Sequence, residues 1–400
     1  ILMYSPWVDS VFRSLTIEEK IAQLLMIRTY SNKDRQFYDS ISRLIINYNI
    51  GGLCFFQGDP VQQARLTNYW QRMAKTPLLI GIDAEWGLGM RLDGAFSFPK
   101  QMTMGAMQDD DLVYLAGKQI GKNCRRIGVH INFAPVVDIN SNPQNPVINY
   151  RSFGEVKENV ARKGAAFIQG TQAAGVIATA KHFPGHGDTD SDSHYTLPVL
   201  NHDIAQIDTV DLYPFKKAIK ADAGAIMIAH LFIPELDGRK NMATSLSEKA
   251  IDSLLRKKLR FKGIAITDAL DMKGVTNYHK PGDIELKALM AGNDILLLPL
   301  DIPGAISKIK QAMDSGLISR DKLDYHCRKV LAFKQMSGLD NPGEINEQGI
   351  IAGINDPVNE LIKRKIFEEA ITLVKNQNNL VPVKNLDTLR MASLAIGSNS

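Results

Sequence analysis

Four hundred residues, 44% of them hydrophobic, can bury a large core, and the length exceeds that of a typical single domain, so one large barrel plus an extra piece is the natural expectation. The net charge of +4 is dispersed along the chain, with no basic block that would point to nucleic acid or an anionic membrane. No run of about eighteen apolar residues occurs, so no transmembrane helix is expected, and Cys54, Cys124 and Cys327 lie far apart without metal-ligand spacing and read as small buried apolar residues.

The chain begins at Ile1 without a signal-peptide pattern, as a mature or trimmed form would, with any leader lying upstream. Short apolar runs then recur at Leu24–Ile27, Gly51–Phe56, Leu78–Ile82, Val129–Phe133, Val176–Ala180, Ala225–Ala229, Gly263–Ile266 and Ile295–Leu298. Segments of helical period separate them, among them Asp109–Arg126, Val156–Ala174, Ile204–Ala221 and Ser247–Leu259. Ser247 followed by Glu248 resembles a helix N-terminus, and Gly263 follows its far end. Alternating strands and helices predict an α/β fold, a (β/α)8 TIM-type barrel with its active site at the carboxyl ends of the strands.

Those strand ends are chemically loaded. The third run ends in Asp83, the fifth in Lys181 and His182, the sixth in His230 and the seventh in Thr267 and Asp268, while the fourth is followed by Ala134-Pro135-Val136-Val137-Asp138. A doubly wound sheet would gather its polar ligands at one switch point, so contributions from so many strands favour the barrel. The catalytic barrel is expected over residues 1–336. Residues 337–359, rich in Gly, Asn, Asp and Pro through Asp356, read as a linker or wrapping loop. From 360 a helix to Val374 and a strand over Met391–Gly397 are expected.

Residues 181–198 carry three histidines and three aspartates in a loop with Gly and Pro, directly after a buried run. A structural loop has no need of so many ionisable groups. Lys181-His182-Phe183-Pro184-Gly185-His186-Gly187, four residues, Asp192-Ser193-His194, three residues and Pro198 resemble the KHFPGHG-x4-DSH-x3-P signature of family 3 glycoside hydrolases, in their β-N-acetylglucosaminidase branch. The resemblance runs from about Leu15 to the end. It implies that residues 360–400 are the entry to a second α/β sandwich domain, truncated here at its first strand, so that a further C-terminal domain is expected in a longer parent protein.

A carboxylate at a barrel strand end can attack an anomeric carbon, and it can equally cap a helix. Thr267-Asp268-Ala269-Leu270-Asp271-Met272 resembles the family's nucleophile motif, which implies that Asp268 is the nucleophile and leaves Asp271 an ordinary surface or capping acid. The same resemblance implies that His194 is the acid/base and Asp192 its orienting partner. Imidazole titrates near neutral pH, and a carboxylate beside it favours the protonated form needed in a general acid. Substrate binding is implied for Asp83, Arg91, Arg151, Lys181, His182, His230 and Met272. Arg91 could bind hydroxyls or hold Asp83, and Lys181 needs an anionic partner, Asp83 or Asp138. Family members commonly read Asp-Gln-Glu-Gly-Gly-Arg where this chain has Ala84, Trp86 and Leu88. Trp86 could stack on a sugar or simply pack.

The expected reaction is retaining exo-hydrolysis of terminal β-linked GlcNAc, with peptidoglycan fragments as the implied source, a carbohydrate as the partner and no cofactor. Phosphorolysis or a β-glucosidase activity of the same family are the near alternatives. A metal-dependent hydrolase using His182, His186, Asp188, Asp192 and His194 is a rival from another class, although the spacings match no closed zinc pattern. A non-catalytic sugar-binding barrel is a third reading, against which Asp268, Asp192 and His194 stand together. The trimmed start and the two-domain resemblance favour the cell envelope, periplasmic or secreted, over the cytoplasm.

Overall fold

The computed structural model describes residues 2–193, 195–384, 387, 388, 390 and 392. Among the described residues a strand overlaps each apolar run: β1 Leu25–Thr29, β2 Gly52–Phe55, β3 Leu79–Ile82, β4 Ile131–Asn132, β5 Ile177–Phe183, β6 Ala225–Ile228, β7 Ile264–Thr267 and β8 Leu296–Leu297. Neighbours pair in parallel in the order β7-β6-β5-β4-β3-β2-β1-β8. The circle closes where Ile266 bridges Ile295 and the Leu297 N–H donates to Thr267 Oγ1 at 2.9 Å. The chain is therefore a (β/α)8 TIM-type barrel.

The strands are apolar on both faces because both are buried, one inside the barrel and one under the helices. Successive side chains alternate between these environments. Leu53, Phe55, Ile80, Ile82, Ile226 and Ile228 join the apolar layer beneath the helices. Cys54, Leu79, Ala225, Met227, Ile264 and Ile266 belong to a second apolar cluster, which holds the barrel interior. At Gly81 an added Cβ would lie 2.8 Å from the Phe133 ring, so the missing side chain makes room for that ring in the interior.

Below the β7–β8 seam, Asp294 is fully buried. It accepts from Ala265 N at 2.8 Å, Arg256 Nη2 at 2.5 Å and Lys329 Nζ at 2.9 Å, and meets His326 Nδ1 at 2.8 Å. One carboxylate thus joins both strands to the helices Lys249–Lys258 and Arg320–Met336. Burial alone would raise its pKa, but Lys329 and Arg256 hold it far below the carboxylate range. Five residues further along the second of these helices, Lys334 is also fully buried, with Gln23 Oε1 2.5 Å from its Nζ.

Helices at Asp110–Arg126 and Lys157–Ala173 fall where the sequence period places them. The segment expected as one helix over Ile204–Ala221 is instead three pieces: Ile204–Gln206, a wider i-to-i+5 turn over Ile207–Asp211, and Tyr213–Lys220. Pro214 sits in the first turn of the last piece and has no N–H to continue a helix through that point. Lys249–Lys258 is wound in the same wider way, and Ser247 Oγ accepts from Ala250 N at 3.3 Å near its start.

The first compact unit runs to Ala370, so packing carries past residue 336 and through the segment read as a linker. Asn68 exchanges two 2.9 Å hydrogen bonds with the backbone of Ile345. Arg126 donates to the carbonyls of Asn346 at 2.6 Å and Gln348 at 2.5 Å. Ile350, Ile354, Ile362 and Ile366, from the helices Ile350–Ile354 and Pro357–Ala370, enter the outer apolar layer. Residues 371–400 form a separate unit, in which Asn376 exchanges hydrogen bonds with the Val381 backbone. The strand expected over Met391–Gly397 lies, Ala392 apart, outside the described residues. Among the described residues no helix is long and apolar enough to cross a membrane.

Candidate active site

The carboxyl ends of the strands open into a pocket of about 320 Å³. Its polar wall includes Asp83 and Glu85 after β3, Arg91 and Arg151 from the following loops, and Lys181 and His182 at the end of β5. Its apolar lining includes Met227, Ala269, Met272, Leu297 and Leu298, and Asp268 lines the same pocket. The volume lies at the low end of the roughly 300–1,000 Å³ of small-molecule sites, a size suited to a single sugar ring.

The polar wall is one chain of alternating charges. Arg91 Nη2 donates to Asp83 Oδ2 at 2.6 Å, and Lys181 Nζ lies 2.8 Å from both Asp83 Oδ1 and Glu85 Oε1. Arg151 grips Glu85 with Nε at 3.0 Å and Nη2 at 2.7 Å. Burial opposes every one of these charges, yet the partners prevail. Lys181 is raised by Asp83 and Glu85. Asp83 falls well below the carboxylate range and Glu85 to about 2. Lys181 therefore leans on Asp83 and Glu85; Asp138, its other expected partner, serves His182 instead.

Asp138 Oδ2 lies 2.7 Å from His182 Nδ1, and Asp138 Oδ1 accepts from the N–H groups of His182 at 3.1 Å and His186 at 2.8 Å. A carboxylate partner requires the proton on Nδ1, which leaves Nε2 on the pocket side, 3.4 Å from Arg151 Nη2. His186 meets Thr189 Oγ1 at 2.7 Å and Ser193 Oγ at 3.4 Å, and burial followed by the nearby His182 lowers its pKa to about 4. It is neutral near pH 7 and stiffens the loop.

Asp268 receives the Ala269 N–H at 2.8 Å, and its own N–H donates to Ile228 O at 2.9 Å. Burial raises its pKa, but His182 and His230 outweigh that and lower it, so the carboxylate is ionised. His230 is not in the pocket wall. It is fully buried, with Nδ1 2.7 Å from Ser245 Oγ and Nε2 2.9 Å from Ala269 O, and steadies the residue next to Asp268. Asp271 is no stray surface acid: it lines the pocket and pairs with Arg28 at 2.8 Å. The guanidinium groups of Arg28 and Arg91 each lie 4.7 Å from the centre of the Phe56 ring. Trp86 is absent from the pocket wall and sits 5.2 Å from Lys100 Nζ.

The loop after β5 is bound on several sides. Asn145 Nδ2 donates to His186 O at 2.8 Å and Thr189 Oγ1 at 3.2 Å, and Gly274 N donates to Ser193 O at 3.1 Å. Gly187 presses on the backbone, for an added Cβ would lie 1.7 Å from Ile139 O. Asp192 accepts at its carbonyl from Tyr195 N and Thr196 N, each at 3.0 Å. His194, the expected acid/base, lies outside the described residues. Three members of the rival metal set are engaged separately: His182 on Asp138, His186 on Thr189 and Asp188 on His202.

Glu85, Arg28, Phe56 and Ser193 are site residues to which the sequence alone assigned no role. Glu85 had a signal, standing two residues beyond Asp83 at the same strand end. Chemically, the arrangement is a set of oriented charged donors and acceptors suited to a small polar ligand, with the ionised carboxylate of Asp268 in the same lining.

The profile of the glycosyl hydrolase family 3 N-terminal domain matches residues 16–333. The chain is 34% identical over 377 residues to beta-hexosaminidase A of Pseudoalteromonas piscicida, covering 86% of this chain and 62% of that protein. It is 27% identical to a beta-N-acetylglucosaminidase/beta-glucosidase of Cellulomonas fimi, covering 94% of this chain and 68% of that one. The structure of a family 3 beta-N-acetylglucosaminidase from Paenibacillus sp. str. FPU-7 superposes with a TM-score of 0.83 at 35% identity, over 91% of this chain and 70% of that one. The chain thus spans less than two thirds of the length of the Pseudoalteromonas protein.

Proposed function

Since the chain belongs to glycoside hydrolase family 3, we propose that it takes part in removing terminal β-linked N-acetylglucosamine from glycans by a retaining, two-step mechanism. The observation that carries this reading is the ionised, pocket-lining Asp268 facing a wall of hydroxyl-binding charges. Preference for the acetamido sugar rests on the names of the relatives and on the loop motif, and peptidoglycan fragments are the proposed source.

In the first step Asp268 attacks the anomeric carbon as the glycosidic bond breaks, and His194, held by Asp192, gives its proton to the departing oxygen. This leaves a glycosyl ester on Asp268. In the second step the neutral His194 takes a proton from water, whose oxygen attacks the same carbon and releases Asp268. Two inversions retain the β configuration. Asp83, Glu85-bound Arg151 and Lys181 hold the ring hydroxyls, and the Asp138-fixed His182 presents Nε2 to the sugar.

The test is turnover of 4-nitrophenyl N-acetyl-β-glucosaminide against the matching β-glucoside, with EDTA and phosphate added separately. Preference for the acetamido sugar, indifferent to EDTA, and a loss on the order of 10⁴-fold in Asp268→Ala support the reading. Preference for the glucoside, loss with EDTA, or wild-type rates in Asp268→Ala would overturn it, and acceleration by phosphate would make the enzyme a phosphorylase.

A further inference from the structure

His202 lies just beyond the loop that ends at Pro198, in the stretch where Val199 bridges Phe232 and returns the chain to the barrel. Its imidazole stands between two carboxylates. Nε2 is 2.7 Å from Asp188 Oδ2, within the loop, and Nδ1 is 2.7 Å from Asp211 Oδ2, in the turn Ile207–Asp211. His202 is 7% exposed and Asp211 is buried beside it, whereas the Asp188 side chain remains partly open to water. Asp211 also packs under the loop from another side, its Cβ 3.1 Å from where a Cβ on Gly185 would be.

Neither carboxylate oxygen can donate while ionised, so each ring nitrogen must carry a proton to make both bonds. The ring is then an imidazolium shared between loop and barrel. Burial disfavours that charge, but Asp211 and Asp188 prevail and raise the His202 pKa. Asp211 itself is raised to about 6, chiefly by burial, with His202 opposing and Asp188 and Asp138 adding to the rise. The charged groups acting on the pair are therefore Asp188 from the loop, Asp211 from the turn and, at longer range, Asp138 from the segment after β4.

We propose that His202 is a positioning residue: as an imidazolium strapped between Asp211 and Asp188, it fastens the loop that leads from His186 to Asp192 onto the barrel, and so supports the acid/base step assigned above to that loop. The inference rests on the function proposed above and assigns His202 no contact with substrate. Above the pH at which His202 loses its second proton, one strap is replaced by a carboxylate facing a lone pair. The loop then loosens while the nucleophile and the hydroxyl clamp stay in place. Glycosylation that needs a proton donor should suffer, and glycosylation that does not need one should survive.

The experiment compares wild type, His202→Gln and Asp188→Asn on two N-acetyl-β-glucosaminides, one with a 2,4-dinitrophenyl leaving group and one with an unactivated sugar leaving group. Each kcat/KM is followed from pH 5 to 9. His202→Gln is expected to lose about 10-fold to 100-fold on the unactivated substrate and under about 3-fold on the dinitrophenyl one, since general acid help is worth about 10²–10⁴ only where the leaving group needs it. Asp188→Asn, at a half-exposed position that threatens folding little, should bring the alkaline fall in rate to lower pH by weakening the pull on the imidazolium. Equal losses on both substrates with an unmoved pH profile would make His202 merely structural and overturn the inference, as would wild-type behaviour in both variants. A wild type that turns over neither N-acetylglucosaminide would instead refute the functional reading, and the inference with it.

Discussion

Glu85→Gln removes one charge from the polar wall while keeping its shape. The wild-type carboxylate is fully buried and receives two bonds from Arg151 and one from Lys181. In the variant Arg151 has only an amide oxygen to grip, and Lys181 keeps Asp83 alone. Two routes give the size of the effect. Breaking a buried ion pair by removing one partner costs about 3–5 kcal/mol. Independently, lowering the pKa from its ordinary 4.5 to about 2 corresponds to about 3 kcal/mol of ionisation-linked stability. A compact unit of 370 residues has an unfolding entropy near 0.8 kcal/mol/K, so 3 kcal/mol is about 4 °C in Tm. The depressed pKa fixes the sign with pH: the stabilisation is complete above 4.5 and fades as pH falls toward 2. Scanning calorimetry at pH 7 should show the drop of about 4 °C, and urea unfolding at pH 3.5 should show a difference smaller by about two fifths. KM for the acetamido substrate should rise as well, because Arg151 and Lys181 lose their fixed geometry. An unchanged Tm at pH 7, or a deficit that grows in acid, would refute the account of Glu85 as the charge that holds two cations in place.

Among the described residues no carboxylate pairs with the buried Lys334, and burial lowers its pKa to about 7. Since the unfolded chain keeps that proton to higher pH, the wild type gains stability as pH rises from 7 toward 10; Lys334→Met should be the more stable protein at pH 6, by about 1–3 kcal/mol after the loss at Gln23, with the advantage shrinking by pH 9.5. Urea titrations at the two pH values decide it, and a less stable variant at pH 6 would refute it. Gly187→Ala forces a Cβ against the Ile139 carbonyl and must shift the loop, so kcat should fall by at least about 10-fold while Tm drops by only a few degrees. Steady-state kinetics with full kcat retained would show that the loop does not depend on that close approach.

The strands were legible because each is a short run apolar on both faces, bounded by residues that cannot continue it. Asp83, Lys181, His182 and Asp268 were legible for a related reason: charged groups directly after such runs have a single end of the barrel to occupy. Glu85 was harder, since its significance lies in Arg151, 66 residues away, which no local pattern connects to it. Asp271 was misjudged because its partner, Arg28, belongs to the opposite end of the sequence. His230 was read by its strand-end position alone, whereas Ser245 and the Ala269 carbonyl hold its ring out of the pocket. Periodicity concealed the break before Pro214, because a helix interrupted by wider turns keeps nearly the same apolar spacing. In the segment after Met336, Gly, Asn and Pro revealed irregular backbone, but the side chains that fasten it, Asn68 and Arg126, lie far upstream.

Asp268 stands at the seam where the last strand meets the seventh. Asp268 follows Thr267, whose N–H donates to Ile295 O, and Leu270 N donates to Leu297 O two residues later. A growing polypeptide that has reached Asp268 therefore has the carboxylate but no wall to hold it. Only after Leu297 has been added, and Lys329 has arrived to neutralise Asp294 beneath, can the site take shape. The pocket thus waits for synthesis of nearly the whole cylinder, and a chain that ends before Leu297 lacks the strand that closes the barrel beside Asp268.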